Sequence, residues 1–156
     1  MSRHSATIHW ARGDDSFIDQ RYSRRHTWQF DGGSEIAASS SPHVVPLPYS
    51  DPVAVDPEEA FVASIASCHM LWFLSIAAKH GHVVDSYTDE AFGTMGKNEE
   101  GHMAILRVTL RPHVVFASHA PDPATLGALH EEAHHSCFIA HSVKTTISCE
   151  PIVDPA

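Results

Sequence analysis

Cysteine is scarce in this chain. Cys68, Cys137 and Cys149 are its only three, too few for the disulfide frameworks that hold small secreted domains together. Positive charge is short as well. Ten Lys and Arg face nineteen Asp and Glu, for a formal net charge of -9. A field of that sign repels phosphate backbones and anionic lipid surfaces, which argues against nucleic-acid and membrane partners and favours a small molecule or a second copy of the chain. Residues 1–15 lack the apolar segment of a secretory signal, so a cytoplasmic location with free thiols is expected. There is no repeat, low-complexity tract or composition break, and 43% hydrophobic with 19% charged residues is ordinary for one globular domain over residues 1–156.

What is present is organised around one stretch. Asp56 is a natural N-cap, Pro57 suits the first helical position, and Glu59 stands where a capping-box carboxylate reaches back. Gly81 supplies a left-handed stop, and Lys79 and His80 complement the negative end of the dipole. Between Ala60 and Ala78 there is no formal charge and apolar residues lie on every side, which predicts a helix buried all round. Such a run is long enough to cross a bilayer. Ser64, Ser67, Cys68, His69 and Ser75 would be unpartnered in lipid, however, and a core helix is expected instead.

The remaining elements follow in order. Residues 6–10 alternate as a short strand, 22–30 read as a second extended stretch carrying Arg24, Arg25 and His26 after Arg21, and Asp31-Gly32-Gly33 is a turn. Residues 34–41 form a third strand, and the proline-rich 42–55 a loop leading into the helix. Beyond Gly81, residues 83–87, 90–96 and 102–116 are predicted strands, the last two joined as a hairpin through 97–101. A second helix starts at Asp122-Pro123 and runs to about Ser136 or Cys137, with Leu126, Leu129, Ala133 and Cys137 on one side. In the closing strand Val143, Thr145, Ile147 and Cys149 share a face, and Cys149 is best read as core filler. The class is α+β, helices packed on antiparallel sheet.

Two constellations carry chemistry. Cys68 and Cys137, with the arginine cluster, offer a nucleophilic sulfur, a resolving thiol and a cation to hold a thiolate and polarise an O–O bond. Ile65, Leu71 and Trp72, one helical turn from Cys68, give an apolar wall that suits an alkyl hydroperoxide better than hydrogen peroxide. His69 points about 100° away and is a poor base. The second constellation is His130-Glu131-Glu132-Ala133-His134, an H-E-x-x-H pattern that in a zinc hydrolase pairs two imidazoles with a water-activating Glu. It lacks a third ligand at recognisable spacing, although His141 or another histidine could supply one; zinc hydrolysis through His130, Glu131 and His134 stays the less favoured alternative, and in the favoured reading no metal is expected.

The run Asp56-Pro57-Glu58-Glu59-Ala60-Phe61-Val62-Ala63-Ser64-Ile65-Ala66-Ser67-Cys68, followed by Cys137 at a helix end and a Val/Thr/Ile strand, resembles the OsmC/Ohr family, the osmotically inducible and organic hydroperoxide resistance proteins. The resemblance implies an intertwined homodimer with interface active sites, acting as a thiol peroxidase on organic hydroperoxides. It also implies Cys68 as peroxidatic cysteine, Cys137 as resolver, and Glu58 holding a catalytic arginine, for which Arg24 is chosen ahead of Arg25 and Arg21. No bound cofactor is implied; an external thiol or lipoyl-type dithiol is the expected reductant. The chain departs from the family where Phe138, Ile139 and Ala140 follow Cys137 and His69 follows Cys68. Ten residues of helix rise about 15 Å, so Glu58 and Cys68 of one straight helix cannot touch, and a shared site calls for a second copy or a fold-back of the Arg24 segment. The alternative from the binding class is a dimeric relative that holds a small apolar ligand without turnover.

Overall fold

The computed structural model describes residues 1–117 and 119–153; the other four lie outside the described residues. The chain divides into two compact units, Met1–Ala60 and Phe61–Ala156. In the first, β1 (Ala6–His9), β2 (His26–Phe30) and β3 (Glu35–Ala38) form an antiparallel sheet in that order. Gly33, at φ 86°, closes the β2 to β3 turn in a conformation that favours glycine. Tyr22 to Arg25 lie before β2 and not in a strand, which corrects the sequence expectation. Their backbone is held instead by loop contacts, Ser23 N–H to Asp15 Oδ2 at 2.8 Å and Arg24 N–H to the Tyr49 carbonyl at 2.9 Å. A bridge from Ala38 to Val55 then leads into the helix.

The long helix, α1 (Pro57–Lys79), starts as its caps dictate. Asp56 Oδ1 accepts from the Glu59 N–H at 2.7 Å, and Glu59 Oε2 accepts from the Asp56 N–H at 3.2 Å, a reciprocal capping box. Gly81 ends it at φ 80°. One expectation fails. The helix is buried on one side only, by Ile65, His69, Phe73, Ile76 and Ala77, while Ala63, Ser64, Ser67, Ser75 and Ala78 are exposed and Leu71 keeps 61% of its surface. An uncharged sequence marks every face as able to be buried, but a single protomer covers only the face that meets its own sheets and second helix.

In the second unit β4 (Val84–Asp89) pairs antiparallel with β7 (Pro112–Phe116), and β5 (Phe92–Lys97), β6 (Met103–Leu110) and β8 (Thr146–Cys149) form a three-stranded sheet. The single strand expected over 102–116 is two strands in two sheets. Pro112 has no N–H for the ladder and disfavours regular continuation, and the Arg111 N–H turns to Asp89 Oδ1 at 2.7 Å. The β6 to β8 pairing is parallel, the exception among antiparallel sheets. The helix α2 (Pro123–Ser136) is capped by Asp122, whose side chain accepts from the Ala124 and Thr125 N–H groups. A short 3-10 turn, Ala140–Ser142, separates it from β8, which is therefore shorter than the expected strand.

Two apolar clusters hold this unit. Phe73, Ile76 and Ala77 of α1 pack on Leu126, Leu129 and Ala133 of α2; Ile65 packs with Val108 and Leu110. Burying side chains of this kind contributes roughly 1.5–3 kcal/mol for each large one. Gly93 is required by contact rather than conformation: a Cβ there would stand 2.9 Å from Val62 Cγ2 and 3.2 Å from Ile105 Cγ2.

Candidate active site

In the second unit, α1 and the C-terminus of α2 bring the thiols of Cys68 and Cys137 together. The two thiols are neighbours, and the Cys68 thiol acts on Cys137 in the sense that keeps it protonated. Cys137 is 1% exposed, and burial first, then the Cys68 thiol, pushes its pKa up to about 11. The Ala140 N–H donates to Cys137 Sγ at 3.4 Å and works in the opposite sense. Cys68 is half-buried, so it is the more accessible sulfur of the pair. Both are free thiols. A sulfur open to an oxidant beside a buried second thiol can pass from sulfenic acid to disulfide without a large movement.

Of the apolar wall expected around Cys68, Trp72 is half-buried and meets Phe138 edge-on with centroids 5.4 Å apart. Leu71 faces outward. Ile65 is fully enclosed in the core.

The first unit contains a cavity of about 460 Å³ lined by Ile8, Trp10, Phe17, Tyr22, Arg24 and Glu58, among others. Arg24 and Glu58 thus share one wall system, while exposed Arg25 pairs with half-buried Asp51 at 3.1 Å and Arg21 pairs with Asp19 at 3.9 Å on exposed side chains. The Arg24 guanidinium lies 3.8 Å over the Tyr22 ring, and its Nη1 donates to the carbonyls of Tyr22 at 2.6 Å and Gln20 at 2.7 Å. Gln20 adopts φ 62°, a strained position for a residue with a Cβ, and its carbonyl is one of those that receive Arg24. The aromatic wall was not anticipated from sequence. Phe17 stacks on Tyr22 at 4.7 Å and Trp10 meets Tyr22 edge-on at 5.5 Å. Its one sequence signal was the interleaving of aromatics with cations between residues 10 and 25.

The H-E-x-x-H pattern is not a chelate. His130 turns inward, 3% exposed, and its Nδ1 meets His69 Nε2 at 3.1 Å. Glu131 points out and pairs with His135 at 3.0 Å on exposed side chains, so it cannot activate water on a metal held by His130. Burial, and then the nearby His134 for His69 and His69 for His130, depresses both imidazoles to about 4, so both are neutral at pH 7. Cys149, expected as core filler, does pack in the second cluster, but its Sγ also lies 3.9 Å from His69 Nε2.

Comparison with known proteins places the fold. Residues 50–151 match the family described as OsmC-like protein. An OsmC-like protein of unknown function from Vibrio cholerae is 55% identical over 97% of this chain and 100% of its own, with a TM-score of 0.94. Organic hydroperoxide resistance proteins share the fold at lower identity. That of Elizabethkingia anophelis is 16% identical over 97% of this chain and 94% of its own, with a TM-score of 0.71; that of Bacillus subtilis is 16% identical over 97% and 98%, with a TM-score of 0.68. No curated protein matches.

Proposed function

The chain belongs to the OsmC-like family, and from that premise we propose that it is a thiol-dependent peroxidase acting on organic hydroperoxides. The observation that carries the proposal is the thiol pair, half-open Cys68 beside buried Cys137. Cys68 attacks as the thiolate on one peroxide oxygen. The S–O bond forms as the O–O bond breaks, and the alkoxide leaves with a proton as the alcohol. The sulfur loses two electrons and the peroxide gains them. Cys137, as thiolate, then attacks the sulfenic sulfur; the S–S bond forms, the S–O bond breaks, and hydroxide leaves with a proton as water. An external thiol or lipoyl-type dithiol returns the disulfide to the dithiol.

Arg24 is assigned the role of holding the thiolate and polarising the O–O bond, with Glu58 orienting it. Support comes from their shared cavity and from the stacking on Tyr22, which pre-organises the guanidinium. The largely aromatic and aliphatic lining suits an alkyl or aryl hydroperoxide. A homodimer is part of the same proposal, because the exposed stripe through Ser64, Ser67, Leu71, Ser75 and Ala78 on α1 is apolar or small and without formal charge.

The same cavity suits retention of a small apolar ligand without turnover, and one experiment separates the two. Alcohol production and thiol loss are followed with cumene hydroperoxide and dithiothreitol or dihydrolipoamide. Turnover in the wild type, none in Cys68→Ser, and sulfenic acid accumulating in Cys137→Ser are expected. A wild type no faster than Cys68→Ser leaves ligand retention as the function.

A further inference from the structure

His69 on α1, His130 on α2 and Cys149 on β8 are 61, 80 and 19 residues apart in sequence, yet their ligating atoms all lie within 4.8 Å of one another. None of the three is used by the thiol pair. His69 follows Cys68 in sequence but points about 100° around the helix from it, into the core. The two imidazoles are nearly parallel, with centroids 5.4 Å apart and facing nitrogens at 3.1 Å, so they meet edge to edge.

We propose that His69 Nε2, His130 Nδ1 and Cys149 Sγ form a binding site for one Zn²⁺ ion. Tetrahedral zinc with bonds of about 2.0–2.1 Å to nitrogen and about 2.3 Å to sulfur sets its donors roughly 3.3–3.6 Å apart. The observed 3.1 Å between the nitrogens and 3.9 Å from His69 Nε2 to Cys149 Sγ bracket that separation, and a small rotation of the rings opens the gap between them. Two imidazoles and one thiolate form a borderline-soft donor set that suits zinc rather than magnesium or calcium.

The two imidazoles are enclosed. His69 is 1% and His130 3% exposed, and the outer nitrogens, His69 Nδ1 and His130 Nε2, are buried without hydrogen-bond partners. As a pair without a metal, one ring leaves a buried proton and the other a buried lone pair unsatisfied. Coordination by the inner nitrogens uses both inner lone pairs; the outer nitrogens then each carry a proton and gain no partner from the metal. Asp89 Oδ2 and the Tyr87 hydroxyl are likewise buried without partners. Two enclosed imidazoles beside one part-buried thiol form a donor set that a single zinc ion can hold together. In this proposal the chain supplies three donors and a water molecule fills the fourth position. On binding, Zn²⁺ takes the place of the Cys149 thiol proton, which leaves to solvent; no electron moves.

The test uses the full reduced chain, stripped of metal by a chelator and dialysed, then titrated with Co²⁺ as the spectroscopic probe and Zn²⁺ as its competitor. The Cys68→Ser/Cys137→Ser double variant removes the other two thiols. In it, Co²⁺ is expected to saturate at one ion per chain with a thiolate-to-cobalt charge-transfer band and the intense visible bands of four-coordination, displaced by Zn²⁺. The band is absent when Cys149→Ser is added. Zn²⁺ at hundredfold excess over its Kd raises the Tm of the double variant by about 5 °C or more, and leaves the triple variant's Tm within about 1 °C. Absence of a saturable band in the double variant overturns the site, as does a band that survives Cys149→Ser. These outcomes are read without peroxide, so they stand or fall separately from the peroxidase assignment.

Discussion

The resolving step of the proposed cycle has a pH dependence that follows from where Cys137 is buried. Only its thiolate attacks the sulfenic sulfur of Cys68. Removal from water raises the Cys137 pKa to about 11, the Cys68 thiol adding to that, against the smaller opposing effect of the Ala140 N–H. At pH 7 the thiolate fraction is about 10⁻⁴, and it grows about tenfold per pH unit until the pH approaches the pKa. Disulfide formation is therefore expected to accelerate about a hundredfold between pH 7 and pH 9 and to show no plateau in that window. Conversion of Cys68 to sulfenic acid removes the thiol partner but not the burial, which is the larger cause, so the slope persists. The assay is single turnover: reduced protein is mixed with one equivalent of cumene hydroperoxide, quenched at intervals with acid, and the sulfenic acid and disulfide are counted by intact mass after alkylation. A flat profile, or one levelling off near pH 8, would show that Cys137 ionises as an ordinary thiol and would refute resolution by a desolvated Cys137.

Other outcomes are equally direct. Arg24→Ala is expected to lower kcat/KM by roughly 10²–10³-fold, the usual loss for one pre-organised stabilising group, whereas Arg25→Ala, which breaks only the pair with Asp51, stays within about threefold by the same steady-state assay. Co-expressing Arg24→Ala with Cys68→Ser tests whether one subunit's arginine serves its partner's cysteine. Random pairing then restores about a quarter of wild-type activity, and no recovery over the separate variants sinks that arrangement. Phe73→Ala removes a side chain with no exposed surface that stacks on His130 at 4.3 Å; urea unfolding should register a loss of about 3–5 kcal/mol. Gly93→Ala forces a methyl against Val62 and Ile105, and the same measurement should show roughly 1–3 kcal/mol.

Local chemistry was legible in the amino-acid order. Asp56, Pro57, Glu59 and Gly81 bounded α1, and Asp122-Pro123 opened α2, because a cap acts on backbone groups within three or four residues of itself. The cysteine at the end of α2 was readable as the partner of Cys68 through the family resemblance, although spacing alone does not bring residues 68 and 137 together. Pro112 carried a signal that the alternation on either side of it obscured: a period of two looks the same whether one strand continues or the chain passes to another sheet.

Tertiary structure decided what depends on distant segments meeting. Uncharged residues all around α1 state only that burial is permitted, and the packing of α2 and the sheets chose the face carrying Ile65, His69, Phe73 and Ile76. The same choice turned His69 inward, where α2 supplied His130 and the parallel strand β8 supplied Cys149. Because those three residues are separated by long stretches of chain, no local periodicity could associate them. The H-E-x-x-H pattern drew attention to the right histidine with the wrong partners, since helical spacing sets which side chains are neighbours along α2 but not which of them the core encloses.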